Sequence, residues 1–368
     1  MPILVIGALL VIYWIFAIYS VSIFESFQLT LKQLHDPSNY FYFLRQLRHL
    51  LVAILLAIWI YFLPLKIVKE NRWKIFVFSL LFLLLVFTPL GLELKWAKWW
   101  LYIPWFGSIQ PWEFVKLAFI IFFSWWLVKK QKILPSLQWY IALIVVVWIS
   151  LFLFLLIPDL WTLLVLWPVA LILYVFAWWN KRYVLVSIVL WLIFTFTVWM
   201  QFSYIKKRIE YFINPEVDKT VQWIWYQTRQ GLIAIWAWWF LWKWYGKWLQ
   251  KFWFIPEAQS DFIFSAFSEE VWLLWNSVLL TLYFLLAYFT IKRLPYVHDN
   301  YYKYLAVWIL SLIVWQAFVN IWVNIKIIPL TGLTLPFISY GWTALMVNII
   351  ELMLLYKILY QWEKWPRR

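Results

Sequence analysis

Residues 256–293 read PEAQSDFIFSAFSEEVWLLWNSVLLTLYFLLAYFTIKR, a polar turn running into a long apolar stretch that two cations end. From 268 to 291 the run has acids only at its start, Glu269 and Glu270, and is long enough to cross a bilayer as a helix. Asp261 stands within a few residues of that boundary. A carboxylate there is costly to desolvate and is a functional-site expectation by default. Ser260 and Asp261 also suit a helix N-cap, because acids complement the positive end of the dipole. Capping accounts for one acid. It leaves unexplained why the long polar and aromatic segment 205–267 converges on it.

Working outward, similar charge-poor runs recur at 2–21, 46–64, 73–90, 112–128, 138–157, 160–179, 183–204, 304–326 and 335–359, making ten with 268–291. Apolar residues are 66% of the 368 and charged residues 13%; soluble domains have about 45–50% and about 25%. The sequence therefore predicts an all-α polytopic membrane protein of about ten transmembrane helices. Residues 1–368 form a single integral membrane domain, with one large extracytoplasmic loop, 205–267, before the eighth helix. The first apolar run lacks a basic leader, so no cleavable signal peptide is expected. With no cysteine, disulfides, thiolate chemistry and Cys-based metal sites are excluded. The three histidines, His35, His49 and His298, are too scattered for metal-ligand spacing.

Charge orients the spans. One set of short loops and the tail hold Lys66, Lys69, Arg72, Lys74, Lys129, Lys130, Lys132, Lys181, Arg182, Lys292, Arg293, Lys303, Lys357, Lys364, Arg367 and Arg368, sixteen of the 31 basic residues. Positive-inside bias places these loops, and both termini, in the cytoplasm. Segment 205–267 then faces outward. Its cations, among them Arg208, Lys243, Lys247 and Lys251, suit an anionic head group such as a phosphate, or simply touch anionic lipid.

Tryptophan and glycine counts are inverted: 35 Trp against 7 Gly, where ordinary usage gives roughly 26 glycines. Segment 236–248, WAWWFLWKWYGKW, would be a glycine-rich loop if most of its Trp were Gly. Trp272, Trp275 and Trp342 sit in similar places. Aromatic belts cluster at two interfacial depths, whereas these indoles occur in loops, mid-span and beside glycine alike. We read the inversion as UGA codons, decoded as glycine in the source organism, translated here as tryptophan; Trp100 is the candidate for a genuine one.

With that allowance the chain resembles the SEDS family (RodA, FtsW, SpoVE) over nearly its whole length, slightly more FtsW than RodA. WAKWWL (96–101) resembles the family's Gly-Ala-Lys-x-Trp-Leu, and SIQPWEFVKLAF (108–119) its Gln-Pro-Ser-Glu-Phe-x-Lys, departing at Trp112. IPDLWT (157–162) is similar to Gln-Pro-Asp-Leu-Gly-Thr, departing at Ile157 and Trp161. KRIEYFINPE (207–216), QKFWFIPEAQSDFIFSAFSEEVWLLW (250–275) and LPFISYGW (335–342) follow in the family's order.

The resemblance implies a peptidoglycan glycosyltransferase that polymerises lipid II outside the cytoplasmic membrane beside a class B penicillin-binding protein. The donor is the growing glycan on undecaprenyl diphosphate, and no nucleic acid is involved. The family's essential aspartate maps onto Asp261. A sugar hydroxyl is a poor nucleophile, so a carboxylate in hydrogen-bond reach takes its proton as the C–O bond forms. The diphosphate leaving group needs positive charge or a divalent cation. Substrate contacts are expected from Lys98, Trp100, Glu113, Lys116, Asp159, Arg208, Lys243, Lys247, Lys251 and Glu257. Glu113 and Lys116, three apart, would share a helix face, as a structural ion pair or a substrate-lining one. Asp159 caps the sixth span or serves the site. Two other functions remain open: a lipid-linked precursor flippase, needing a polar path across the bilayer, and a non-catalytic scaffold of the division machinery.

The topology has a direct check. Thr220 and Asp299, each replaced by cysteine in this cysteine-free chain, are exposed in turn to an impermeant thiol reagent on intact cells. Position 220 should label and position 299 should not; the opposite pattern overturns the orientation.

Overall fold

A computed structural model describes residues 2–34, 37–94, 97–103, 107–130, 137–138, 140–141, 144–145, 160–178, 181–201, 203–214, 228–233, 235 and 258–360. Twelve helices of the described residues concern us: α1 (Pro2–Val21), α2 (Ile23–Leu34), α3 (Phe41–Phe62), α4 (Leu65–Glu70), α5 (Arg72–Leu84), α6 (Pro111–Lys130), α7 (Leu160–Trp178), α8 (Lys181–Gln201), α9 (Ser203–Ile213), α10 (Ile263–Arg293), α11 (Asn300–Asn324) and α12 (Trp342–Tyr360). Among the described residues, six stretches are long and apolar enough to cross a membrane: Pro2–Val21, Phe41–Phe62, Pro111–Lys129, Trp275–Tyr296, Asn300–Asn324 and Trp342–Tyr360. Val165–Phe176 and Arg182–Thr197 are shorter apolar helices. Of the ten expected runs, 138–157 falls mostly outside the described residues. The 73–90 run becomes α5 closed by a 3₁₀ turn at Leu85–Phe87.

Helices α11 and α12 form the centre. α11 packs on α6, α7, α10 and α12, while α12 packs on α1, α3 and α6. Both are apolar on nearly every side, as a helix surrounded by other helices in lipid must be. The outer helix α3 instead turns a stripe of exposed Leu44, Leu51 and Leu55 outward. Such a stripe belongs against lipid tails.

Polar anchors identify the two ends of the bundle. At one end buried Lys357 of α12 donates to the carbonyls of Ile60 (2.9 Å) and Leu63 at the C-terminus of α3. At the same end Lys69 pairs with Asp299 at 2.5 Å, and Asp299 caps α11 through the backbone N–H of Tyr301 (2.8 Å). These contacts join two of the loops that the charge pattern puts inside.

The opposite end carries an antiparallel sheet that the all-helical reading did not anticipate: β1 (Gly91–Leu94), β2 (Ala97–Ile103) and β3 (Gly107–Ile109), in that order. Leu92 pairs with Trp100 and Glu93 with Lys98 across a register shift; Tyr102 pairs with Ser108. The aromatic-rich run of β2 suits a pleated surface. Gly107 turns into β3 with φ of +93°, where a side chain would be strained.

Tryptophan packing bears on the inverted composition. Trp14 and Trp308 are wholly buried, with indole N–H groups that find no acceptor. Each such orphan costs about 1–3 kcal/mol. Trp342 is different: it donates to the Ser108 carbonyl at 2.6 Å and stacks on His49 at 5.1 Å. Segment 236–248 lies outside the described residues. We predict glycine at most of its Trp positions and at 272, 275 and 342 in the native protein. Peptide masses from native cells should show glycine there; tryptophan masses or UGG codons would refute it.

Candidate active site

Asp261 lies in the turn at 258–262, and the N-cap position of α10 is the next residue, Phe262. The helix begins earlier than the apolar run suggested, so Asp261 stands just outside it. Its backbone carbonyl accepts two side-chain amides, Asn320 Nδ2 at 3.1 Å and Asn324 Nδ2 at 3.0 Å, both from α11. Asn324 Oδ1 in turn accepts from the backbone N–H (3.1 Å) and the hydroxyl (2.5 Å) of Ser265. The first turn of α10 is thereby closed onto α11.

The other wall is the loop 325–341. Gly332 takes φ of +78°, and a Cβ there would sit 3.6 Å from Asp261 Oδ2. The carboxylate therefore rests directly over this glycine. Asn320 Nδ2 also reaches the Leu333 carbonyl (2.7 Å), and Gln316 Nε2 reaches the Thr334 carbonyl (2.9 Å). Gln316, Asn320 and Asn324 are four apart, so one face of α11 holds both segments. The two segments also bond directly. Ser339 Oγ donates to the Ser260 carbonyl (2.6 Å), and the Tyr340 N–H to the Gln259 carbonyl (2.7 Å). Arg208 of α9 clasps the same loop through the Leu330 carbonyl at 2.9 Å.

Among the expected substrate contacts, Trp100 packs edge-on to Trp112 at 6.0 Å, and Lys98 lies on β2 opposite Glu93. Glu113 and Lys116 meet at 2.8 Å and are almost fully buried. Lys116 also donates to Gln316 Oε1 at 3.2 Å, which links the pair to the loop beneath Asp261. Glu351 of α12 lies within electrostatic reach of both. Asp159, Lys243, Lys247, Lys251 and Glu257 lie outside the described residues. Among those described, no group of three or more His, Cys, Asp or Glu could hold a metal ion. Sequence reasoning missed Gln316, Asn320 and Asn324, although amides repeating every four residues in an apolar span are a legible signal.

The chain matches the family profile for FtsW, RodA and SpoVE, described as cell cycle protein, over residues 1–364. It is 32% identical over 293 residues to the probable peptidoglycan glycosyltransferase FtsW of Trichlorobacter lovleyi, covering 78% of this chain and 76% of that one. The corresponding protein of Thiomonas intermedia is 31% identical over 337 residues, 87% and 79% of the two chains. Among solved structures, Thermus thermophilus RodA superposes with a TM-score of 0.67 at 21% identity, over 98% of this chain and 97% of its own. A chain from work on "structural coordination of polymerization and crosslinking by a peptidoglycan synthase complex" gives 0.70 at 24% identity, over 95% and 98%.

The amide clamp makes a stability prediction. Asn324→Leu keeps the volume but strands Ser265 and removes one donor to Asp261, a loss of roughly 2–4 kcal/mol. Thermal unfolding in detergent should show a clear fall in Tm, while Thr281→Val, at an exposed helix position, should not. Equal Tm values would refute the clamp.

Proposed function

The chain belongs to the FtsW/RodA/SpoVE family of cell cycle proteins, and on that premise we propose that it polymerises lipid II, with Asp261 as the general base. It is a peptidoglycan glycosyltransferase of the cell-division and cell-shape family. The observation that supports the catalytic assignment is the setting of Asp261. Its carboxylate stands over Gly332 on backbone clamped by two amides, at the end of the bundle opposite the Lys69–Asp299 pair.

In this reading the 4-hydroxyl of the incoming lipid II gives its proton to Asp261 as its oxygen bonds to the anomeric carbon of the growing glycan. The bond from that carbon to the diphosphate breaks, and the electron pair leaves with the diphosphate. Displacement from the opposite face inverts the configuration. One base plus positive charge on the leaving group suffices, unlike the two carboxylates of glycoside hydrolysis. If a divalent cation served this site, Asp261 and the diphosphate oxygens would be the hard ligands to hold it, and it would supply positive charge to the leaving group. We assign Lys98, Trp100, Arg208, Asp159, Lys243, Lys247, Lys251 and Glu257 to substrate contacts on this outer side. Glu113 and Lys116 act one layer beneath.

The protein works in the bacterial cytoplasmic membrane with both termini inside and segment 205–267 outside. Its partner is a class B penicillin-binding protein that crosslinks the new strands, a reading supported by the likeness to a chain of a synthase complex. The flippase alternative needs a polar path through the bilayer. The buried Glu113–Lys116 charges neutralise each other instead.

Asp261→Asn decides between base and scaffold. It keeps the size of the side chain and removes the proton acceptor, so polymerisation of labelled lipid II, with the partner transpeptidase present, should fall about 10²–10⁴-fold. Membrane levels should match wild type. Activity within a few-fold of wild type rejects the base, and Asp159→Asn is then the next variant.

A further inference from the structure

We propose that Arg45 of α3 is the arginine that receives the diphosphate at this site, a proposal that rests on the glycosyltransferase reading. Tyr42, Arg45 and His49 fall on one helical face by spacing, and that face is turned toward the Asp261 strap. Tyr42 packs edge-on to Tyr340 at 5.3 Å, and its hydroxyl bonds the side chain of Gln259, two residues before Asp261. His49 stacks on Trp342 at the start of α12. Arg45 lies in the electrostatic range of Tyr42, His49 and Tyr340. On its other side the start of β3 runs against the guanidinium, because a Cβ on Gly107 would come 3.0 Å from Arg45 Nη2. Arg45 thus stands between the strap that carries the base and the hairpin that carries Lys98 and Trp100.

Among the described residues no carboxylate lies within ion-pair distance of Arg45. Glu25 is the acid within reach of the same tyrosines. A half-buried guanidinium at the outer membrane boundary favours an anion, and its planar fork matches phosphate oxygens two at a time. The diphosphate of a lipid-linked sugar enters at that depth. There a fixed cation stabilises the charge that develops as the bond to the sugar breaks. Arg48, one turn further on, also acts on His49 and Tyr340, but it is exposed beside Leu44, Leu51 and Leu55 and is not among the charges that act on Tyr42, so it serves as the control.

Binding of inorganic pyrophosphate by titration calorimetry in neutral detergent tests the proposal without turnover. With divalent cations removed by EDTA, wild type and Asp261→Asn should bind alike, so the result stands whether or not Asp261 is the base. Arg45→Ala should weaken binding about 10- to 100-fold, and Arg48→Gln should leave it unchanged. Arg45→Gln keeps the stem and decides the matter if the alanine variant fails to fold. Affinity within twofold of wild type in the Arg45 variants, equal loss in Arg48→Gln, or no binding by wild type overturns the assignment. So does stoichiometric displacement by phosphatidylglycerol micelles, which would make the site one for lipid head groups.

Discussion

Backbone that leaves helical geometry next to a bilayer must find hydrogen bonds within the protein, because lipid offers none. Two irregular segments meet that demand here: the turn at 258–262 and the loop 325–341. Gln316, Asn320 and Asn324 on α11 supply most of the donors, reaching the carbonyls of Thr334, Leu333 and Asp261. Ser339 and Tyr340 add bonds directly between the segments. Remove this ladder and several carbonyls lose their partners at once. The rest of the site hangs on it.

A general base also needs rigidity. A carboxylate on a free loop spends its time among many positions, and a misplacement of about 1 Å can cost two orders of magnitude in rate. Asp261 has both neighbouring segments pinned to α11, which is itself wrapped by α6, α7, α10 and α12. Gly332 carries a left-handed backbone (φ +78°) beside the carboxylate, a conformation that residues with a side chain adopt only with strain. The polar chain continues downward through Gln316 to Lys116 and Glu113. The buried ion pair thereby shares a partner with the loop under the base.

How much of this could be read from residues alone depends on the scale of the signal. The helical membrane architecture follows from long charge-poor runs, and Asp261 stands out because a carboxylate at a bilayer boundary is rare. The hairpin at 91–109 was hidden because its aromatic run also reads as a loop beside a membrane. The amide ladder was hidden by composition: three polar side chains do not disturb the apolar average of the 304–326 run. Arg45 escaped notice for another reason. Its neighbours Gly107 and Tyr340 come from two distant parts of the chain, and only folding brings them together.

The distribution of charge between membrane interior and edge follows one rule. Within the bundle Glu113 and Lys116 are held 2.8 Å apart, where removing either partner would leave an uncompensated buried charge costing about 3–5 kcal/mol. Lys357 is likewise occupied by the end of α3. Asp261 is only half-buried. Charges that hold the bundle together are thus sequestered in pairs or caps. The carboxylate proposed as the base instead sits at the boundary, in the turn just before α10.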